Sequence, residues 1–112
     1  MARALTVVSH LCPACGFAGL RTLPYAELRS LPVSDDLEPP YSQYFGDPSY
    51  EVCDCCGFEY GNDDEPGTGL PVTFRRYREE WISGGTQWFA PSRRPVDWSL
   101  ADQLEAAGIS PT

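Results

Sequence analysis

Two short cysteine motifs are the part of this sequence whose residue types and spacing suit metal chemistry. The first is CPACGF at residues 12–17 and the second is CDCCGF at residues 53–58, so both read C-x-x-C-G-F. A two-residue gap lets both thiolates of one turn reach the same ion, and two such turns supply the four sulfurs that tetrahedral Zn²⁺ accepts. The sequence therefore predicts one structural Zn²⁺ bound by Cys12, Cys15, Cys53 and Cys56.

The fifth cysteine and the only histidine fall outside this pattern. Aligning the two motifs places Cys55 opposite Ala14, so Cys55 is predicted to be spare. His10 precedes Cys12 by two residues. In one interpretation it is a substitute ligand, but the favoured interpretation is a histidine at a strand end that is packed or exposed near the metal. Rubredoxin-like sites bind iron through similar cysteine pairs, so the spacing leaves zinc and iron both open.

The same residues argue against catalysis. Four thiolates close the coordination shell, whereas catalytic zinc keeps one position open. With one histidine and no lysine, the chain has few ways to assemble a general base or an activated nucleophile. A thioredoxin-like C-x-x-C requires a βαβ setting that two copies among many turns do not provide. We predict a protein that is not an enzyme, with no catalytic residue and no evident small-molecule substrate.

The elements that must position the cysteines predict an α+β fold, a small zinc ribbon in a single domain over residues 1–112. Antiparallel hairpins are predicted around the four-cysteine site, with a first pair of strands over residues 5–23 and a second over 50–60. Residues 24–50 are rich in proline, acids and tyrosine, and we interpret them as an insertion between the two cysteine turns, with one helical turn at 25–29.

Two helices are predicted after the second motif. Thr73 can cap an amphipathic helix that runs through Ser83 and stops at a pair of glycines. A short last helix is predicted to begin at Ser99, facing Asp102 in a variant capping box, and to end at Gly108. The first of these helices carries its apolar residues on one shared face, which is typical of core packing: Phe74, Tyr77, Trp81 and Ile82.

The charge distribution bears on the partner. The net charge is −8, and all eight basic residues are arginine. Residues 28–70 contain ten acids and one arginine, so nucleic acid is not expected to bind and a protein with a basic surface is the predicted partner. Aromatic side chains among these acids are predicted anchors, with packing in the core as the equal alternative. The predicted partner-binding residues are Tyr44, Asp63, Asp64 and Glu65, with Tyr41 and Phe45 as further anchors.

Two alternatives stay open. The first is a nucleic-acid-binding ribbon that uses a basic segment with Trp88. The second is a metal-handling or redox protein that uses Cys55 as an exposed thiol. No apolar run approaches the ~18 residues of a membrane span and no signal-peptide core is present, so a reducing cytoplasmic location is predicted. The basic segment comprises Arg75, Arg76, Arg78, Arg93 and Arg94.

Four stretches of the sequence resemble the bacterial cysteine-rich "CPCC" family of small zinc-ribbon-like proteins. They are CPACGF at 12–17, YEVCDCCGFE at 50–59, NDD at 62–64 and YREEWISGGTQWF at 77–89. Asp54 stands where the family usually has proline, and the spacer between the motifs is longer than usual. The resemblance implies a zinc-ribbon-like fold and no defined catalytic activity. Because some members look like immunity proteins beside toxin genes, it also implies an immunity or antitoxin-type role, which an acidic chain suits.

Overall fold

A computed structural model of the protein describes residues 10–65, 67, 69 and 71–110. Within these residues the chain forms three α-helices: α1 spans Ser42–Phe45, α2 spans Phe74–Ser83 and α3 spans Leu100–Ala107. A 3₁₀ turn, Pro91–Arg93, lies between α2 and α3. The start of the first predicted pair of strands, residues 5–9, lies outside the described residues.

The predicted antiparallel hairpins are not confirmed. Over the described residues the β-structure consists of two isolated antiparallel bridges, Tyr25–Pro48 and Val52–Glu59. After the first motif, the backbone amides at 21 and 22 donate to the Glu51 carboxylate rather than to a strand. Before the second motif, Tyr50 has a φ of 62°, which ends the extended conformation on that side. The four-cysteine cluster is therefore held by turns and helices, and an α+β class is not shown.

Both predicted helix starts are confirmed. The Thr73 side chain accepts a hydrogen bond from the Arg76 amide at 3.0 Å, and α2 begins at Phe74, directly after Thr73. The Ser99 hydroxyl accepts from the Asp102 amide at 3.2 Å and caps α3 in the same way. Gly108 ends α3 in the left-handed conformation, as its position predicts. These caps depend on residues three apart in sequence, which explains why the pattern alone locates them.

Helix α2 buries the expected face together with one unexpected residue. Phe74 and Trp81 are buried, and Tyr77 and Ile82 pack partly buried against the same core. Arg78 is buried as well, with 6% of its surface exposed. An arginine in this position is not anticipated by an apolar pattern, and its partners are described below.

The insertion 24–50 packs into the core through its tyrosines. The Tyr41 ring stacks on Phe74 of α2 with centroids 3.9 Å apart, and Tyr25 is fully buried beside it. The predicted helical turn at 25–29 is confirmed only as a single hydrogen-bonded turn, in which the Leu28 amide donates to the Tyr25 carbonyl at 3.0 Å. It goes no further, because the amides of residues 26 and 27 donate across to the carbonyls of Asp47 and Phe45. The helix in this segment is α1 instead. Aromatic rings thus fill the volume that aliphatic side chains occupy in most small domains.

Candidate metal centre

The two cysteine motifs fold into nearly identical turns, here called the first knuckle (residues 12–17) and the second knuckle (residues 53–58). In each, the amide of the first cysteine donates to the phenylalanine carbonyl, at 2.9 and 3.0 Å. In each, the glycine amide donates back to the carbonyl of the first cysteine, at 2.8 and 2.9 Å. Gly16 and Gly57 have φ values of 85° and 84°, a region that residues with a Cβ adopt only at a cost. The repeated sequence therefore specifies a repeated conformation.

The knuckles bring four sulfurs together. The Sγ atoms of Cys12, Cys15, Cys53 and Cys56 all lie within 4.8 Å of one another, and all four residues are buried. The Cys12–Cys56 sulfurs are 3.9 Å apart and the Cys15–Cys53 sulfurs are 3.7 Å apart. A tetrahedron with metal–sulfur bonds of about 2.3 Å has edges of about 3.8 Å. The predicted ligands thus converge with spacings that fit one tetrahedral ion.

Burial affects how these thiols ionise. Burial, followed by hydrogen bonding among the sulfurs, raises the pKa of Cys15 and of Cys56 well above the ordinary value. Burial also opposes ionisation of Cys12, but hydrogen bonds from the other sulfurs outweigh it and hold the Cys12 pKa well below its usual range. A soft divalent cation that binds here displaces the thiol protons, and its charge then offsets the burial that opposes ionisation of the thiols.

A buried tyrosine hydroxyl beside the cluster also fits a metal–thiolate centre. Tyr60 is fully buried, and its hydroxyl has no hydrogen-bond partner of good geometry. Burial, and then the negative charge of the Cys12, Cys53 and Cys56 sulfurs, raises the Tyr60 pKa well above its ordinary value. The phenol therefore stays protonated and able to donate. The thiolates of a bound metal would supply the hydrogen-bond acceptor that the Tyr60 hydroxyl lacks.

Helix side chains hold the carbonyls of the first knuckle. Arg78 of α2 donates from Nη1 to the Ala14 carbonyl at 3.0 Å, and Gln103 of α3 donates from Nε2 to the Cys15 carbonyl at 2.9 Å. Helix α3 lies so close that a Cβ on Gly16 would meet the Ala107 Cβ at 3.0 Å. The position of this knuckle therefore depends on how both helices dock.

Backbone amides hold most of the second knuckle. The amides of Phe89 and Ala90 donate to the carbonyls of Cys55 and Asp54, at 3.1 and 2.8 Å. One side chain assists, because the Tyr77 hydroxyl donates to the Cys56 carbonyl at 2.9 Å. The segment after α2, which the sequence pattern left as irregular, is thus the support of this knuckle.

The spare cysteine is internal. Cys55 is fully buried and lies outside the group of four sulfurs, as the alignment of the motifs predicts. Its sulfur is 3.5 Å from Nε2 of Gln103. The expectation of an exposed thiol is wrong, because the side chain points into the packing between the second knuckle and α3. His10 is not part of the four-residue cluster.

The predicted partner-binding residues have different locations. Tyr44 is 42% exposed. Asp64, in contrast, is fully buried, and its carboxylate accepts from the Tyr25 hydroxyl and from the amides of Tyr41 and Gly61, each at 2.9 Å. The prediction that Asp64 meets a partner is wrong, because three donors hold its charge inside the core. Tyr41 is 2% exposed and is likewise a core residue rather than an anchor.

The other acids of this loop and Phe45 are half-buried. Asp63 accepts a hydrogen bond from the Glu59 amide at 2.8 Å and so stabilises the turn. Glu65 and Phe45 are both half-buried, and Phe45 packs against the core. The Asp63 bond is local, since its donor lies only four residues earlier in the chain. The long-range bonds of Asp64 had no such local signal.

The predicted basic segment does not form an open cationic face. Arg75 and Arg76 pair with Glu79 and Glu80 one helical turn later, at 3.2 and 2.7 Å. Arg93 pairs with Asp54 at 2.8 Å. Arg78 is buried, as is Trp88, which lies edge-on against Trp98 and Phe17. Acidic partners and burial thus occupy most of the groups that the nucleic-acid interpretation requires.

Comparison with known proteins yields one informative similarity. The chain is 28% identical over 106 residues to the uncharacterized protein YozI of Bacillus subtilis (strain 168), in an alignment that covers 86% of this chain and 75% of the relative. No protein-family model matches the chain, and no solved structure matches it. Membership of the CPCC family therefore stays a prediction. No helix among the described residues is long and apolar enough to cross a bilayer.

Proposed function

We propose that this protein is a non-enzymatic zinc-binding module in which one Zn²⁺, held by Cys12, Cys15, Cys53 and Cys56, joins the two knuckles. The observation that carries the proposal is the convergence of four buried sulfurs within 4.8 Å of one another. With four sulfur ligands a bound Zn²⁺ has no position left for water, so it supplies a cross-link rather than reactivity. Among the described residues, no second group of three or more His, Cys, Asp or Glu side chains is placed to share an ion.

A cross-link at this position suits the rest of the chain. The two knuckles are far apart in sequence: Cys15 and Cys53 are separated by 38 residues, and Cys12 and Cys56 by 44. The described residues contain very little β-pairing that would otherwise hold these segments together. Small domains with few aliphatic residues commonly depend on a metal or on disulfides for stability. All five cysteines are free thiols, which leaves the metal as the available staple.

The identity of the metal is decided by elemental analysis of protein purified from cells supplied with both zinc and iron. We expect about one zinc per chain and no absorption in the visible range, because Zn²⁺ has a filled d shell. Iron at the same stoichiometry, with the visible thiolate-to-iron bands of a rubredoxin-like site, would replace zinc by iron in the proposal. Folded protein that contains neither metal would refute it.

The module is further proposed to bind a protein with a basic surface. Tyr44 supports this part, because it is 42% exposed and its hydroxyl accepts from the Glu38 amide at 3.3 Å. That bond places the Tyr44 hydroxyl at the backbone of Glu38, which belongs with Asp35 and Asp36 to a short run of exposed acids in the insertion. Exposed acids accelerate the encounter with a basic protein, and a partly exposed aromatic ring can then be buried by it. An immunity or antitoxin-type role, implied by the resemblance to the CPCC family, is one form of this proposal.

The binding role is tested on a partner first recovered with the wild-type protein as bait and then purified. We expect replacement of Asp36 and Glu38 by their amides to slow association, and Tyr44→Ala to accelerate dissociation, with metal content unchanged. The matched control is Tyr50→Ala, which removes another exposed aromatic ring from outside this acidic segment. If the association and dissociation rates are unchanged in the acidic and Tyr44 variants, or change equally in Tyr50→Ala, the proposal that this surface binds the partner is refuted.

A further inference from the structure

A small crevice lies where four separate parts of the chain meet. The first knuckle, the insertion, α2 and the segment after α3 each contribute to its walls, and its volume is about 230 Å³. At about 30 Å³ per water-sized group, this volume holds about eight non-hydrogen atoms. Most of the wall is hydrocarbon: Pro13, Pro32, Val33, Phe74 and Ile109.

A buried and incompletely paired guanidinium lines this crevice. Arg78 is 6% exposed, and its Nη1 donates to the Ala14 carbonyl. Its Nε is buried and has no hydrogen-bond partner. Arg78 belongs to none of the ion pairs formed by the described residues. A guanidinium carries five N–H donors in a planar fork, so Arg78 retains donors for a carboxylate.

The nearest acid does not complete the pair. Asp35 also lines the crevice, but its carboxylate is engaged by Arg75, whose Nη1 lies at 3.8 Å. Asp35 is largely exposed, so its charge is screened by water, whereas that of Arg78 is buried. The crevice thus combines one buried cation, which matches a single carboxylate, with walls that are mostly apolar.

We propose that this crevice binds the carboxylate of a small apolar monocarboxylic acid, the same chemistry that the C-terminal residue of a peptide presents. The carboxylate pairs with Arg78, and the hydrocarbon part lies against Pro13, Val33 and Ile109. A branched body of leucine size matches the volume. The proposal is independent of which metal occupies the knuckles, and it does not require the acidic surface around Tyr44.

The test is an NMR titration of the full, metal-loaded chain labelled with ¹⁵N. The probe is 4-methylpentanoate, and its neutral amide is the matched control ligand. We expect saturable shifts of the Arg78 Nε–H signal and of the Val33 and Ile109 amides with the acid, and none with the amide. Equal responses to acid and amide, or no saturable response to the acid, would overturn the proposal. A second titration, with N-acetyl-leucine, distinguishes the two sources of the carboxylate. If N-acetyl-leucine binds more tightly than 4-methylpentanoate, the site is assigned to a peptide C-terminus. If it binds more weakly, the site is assigned to a small free acid.

Variants locate the response. Arg78→Gln should weaken binding of the acid by about tenfold or more, because a charge-assisted pair is lost. Arg76→Gln removes an exposed arginine from the same helix and should leave the affinity unchanged. If Arg78→Gln does not fold, Val33→Phe fills the crevice while the guanidinium stays in place, and it should abolish the shifts. Wild-type affinity in a folded Val33→Phe or Arg78→Gln protein would show that the acid binds elsewhere and would overturn the assignment.

Discussion

The two knuckles have the same turn conformation but are supported in different ways. Their internal hydrogen bonds agree to within 0.1 Å, and the φ values of Gly16 and Gly57 differ by 1°. The carbonyls of the first knuckle are held by the side chains of Arg78 and Gln103. Those of the second are held mainly by the amides of Phe89 and Ala90. A repeated motif thus specifies its own turn, whereas its surroundings depend on the remainder of the chain.

This difference has a consequence for mutational sensitivity. A side-chain donor is removed by a single substitution, whereas a backbone amide is removed only by proline. The first knuckle is also the more crowded, since helix α3 lies against Gly16. A Cβ on Gly57 would have the Tyr77 hydroxyl as its nearest neighbour, at 3.4 Å, and then the Phe89 side chain at 3.5 Å. We therefore expect the first knuckle to be the more easily disrupted of the two.

The largest effect is expected from the metal ligands, where the two knuckles should behave alike. Replacing Cys12 or Cys53 by serine removes one quarter of the coordination shell and should cost a large part of a metal-binding free energy on the order of 10 kcal/mol. Metal content and circular dichroism measure the loss. The control is Cys55→Ala, which removes a buried non-ligand sulfur and should cost about 1–2 kcal/mol with metal retained. Loss of metal from Cys55→Ala would contradict the ligand assignment.

The next effect should separate the knuckles. Alanine at Gly16 or at Gly57 forces a left-handed conformation that costs about 1–2 kcal/mol at either position. At Gly16 the new Cβ would also meet the Ala107 Cβ at 3.0 Å and the Gln103 carbonyl oxygen at 3.1 Å. This overpacking should add about 1–3 kcal/mol to the cost of Gly16→Ala alone. Urea unfolding of the two variants measures the difference, and equal losses would contradict the asymmetry.

The Tyr60 hydroxyl should affect metal affinity rather than folding. It lies beside the sulfurs without a hydrogen-bond partner of good geometry, so we expect it to donate to a metal-bound thiolate. Tyr60→Phe should therefore weaken metal affinity by about tenfold, the lower end of what second-shell partners contribute. Because the hydroxyl is unsatisfied without metal, the metal-free protein should not lose stability. Competition with a chromophoric chelator measures the affinity, and an unchanged value would show that the hydroxyl does not serve the centre.

The smallest effect concerns the carbonyl donors. Gln103→Leu removes the donor to the Cys15 carbonyl, and Tyr77→Phe removes the donor to the Cys56 carbonyl. We expect metal transfer to a chelator to accelerate about fivefold for Gln103→Leu, since about 1 kcal/mol is lost. Tyr77→Phe should have less effect, because backbone amides still hold the second knuckle.

Gln103 also accepts from the Trp98 indole, at 2.8 Å. Trp98→Phe is therefore the control for Gln103→Leu: it removes that second bond, together with part of the ring contacts of Trp98 with Trp81 and Trp88, and leaves the donor to the Cys15 carbonyl in place. A larger acceleration for Tyr77→Phe than for Gln103→Leu would reverse the comparison between the knuckles.

Local signals in the sequence were sufficient for the knuckles and the helix caps. The glycine after each cysteine pair and the hydroxyls of Thr73 and Ser99 act within a few residues of their own position, so their roles can be predicted from the pattern. The role of Glu51 could not be predicted: its carboxylate accepts from the backbone amides of residues 21 and 22, where the sequence pattern indicates a strand. Such a bond leaves no periodic trace in the sequence.

The buried charges show the same limit. Asp64 stands among consecutive acids that look solvated, yet it is the acceptor for groups contributed by the insertion, including the Tyr25 hydroxyl. Arg78 stands in a basic stretch, yet it contacts the first knuckle 64 residues earlier in the chain. Both roles depend on contacts between segments distant in sequence, which composition and periodicity do not encode.

X-ray absorption at the metal edge tests the central claim most directly, because it counts and types the atoms bound to the ion. For the wild-type protein the claim predicts one zinc with four sulfur neighbours at about 2.3 Å and no nitrogen or oxygen in the first shell. The Cys55→Ala variant should give the same spectrum. A shell that contains fewer than four sulfurs, or one that changes when Cys55 is replaced, would contradict a closed site formed by Cys12, Cys15, Cys53 and Cys56.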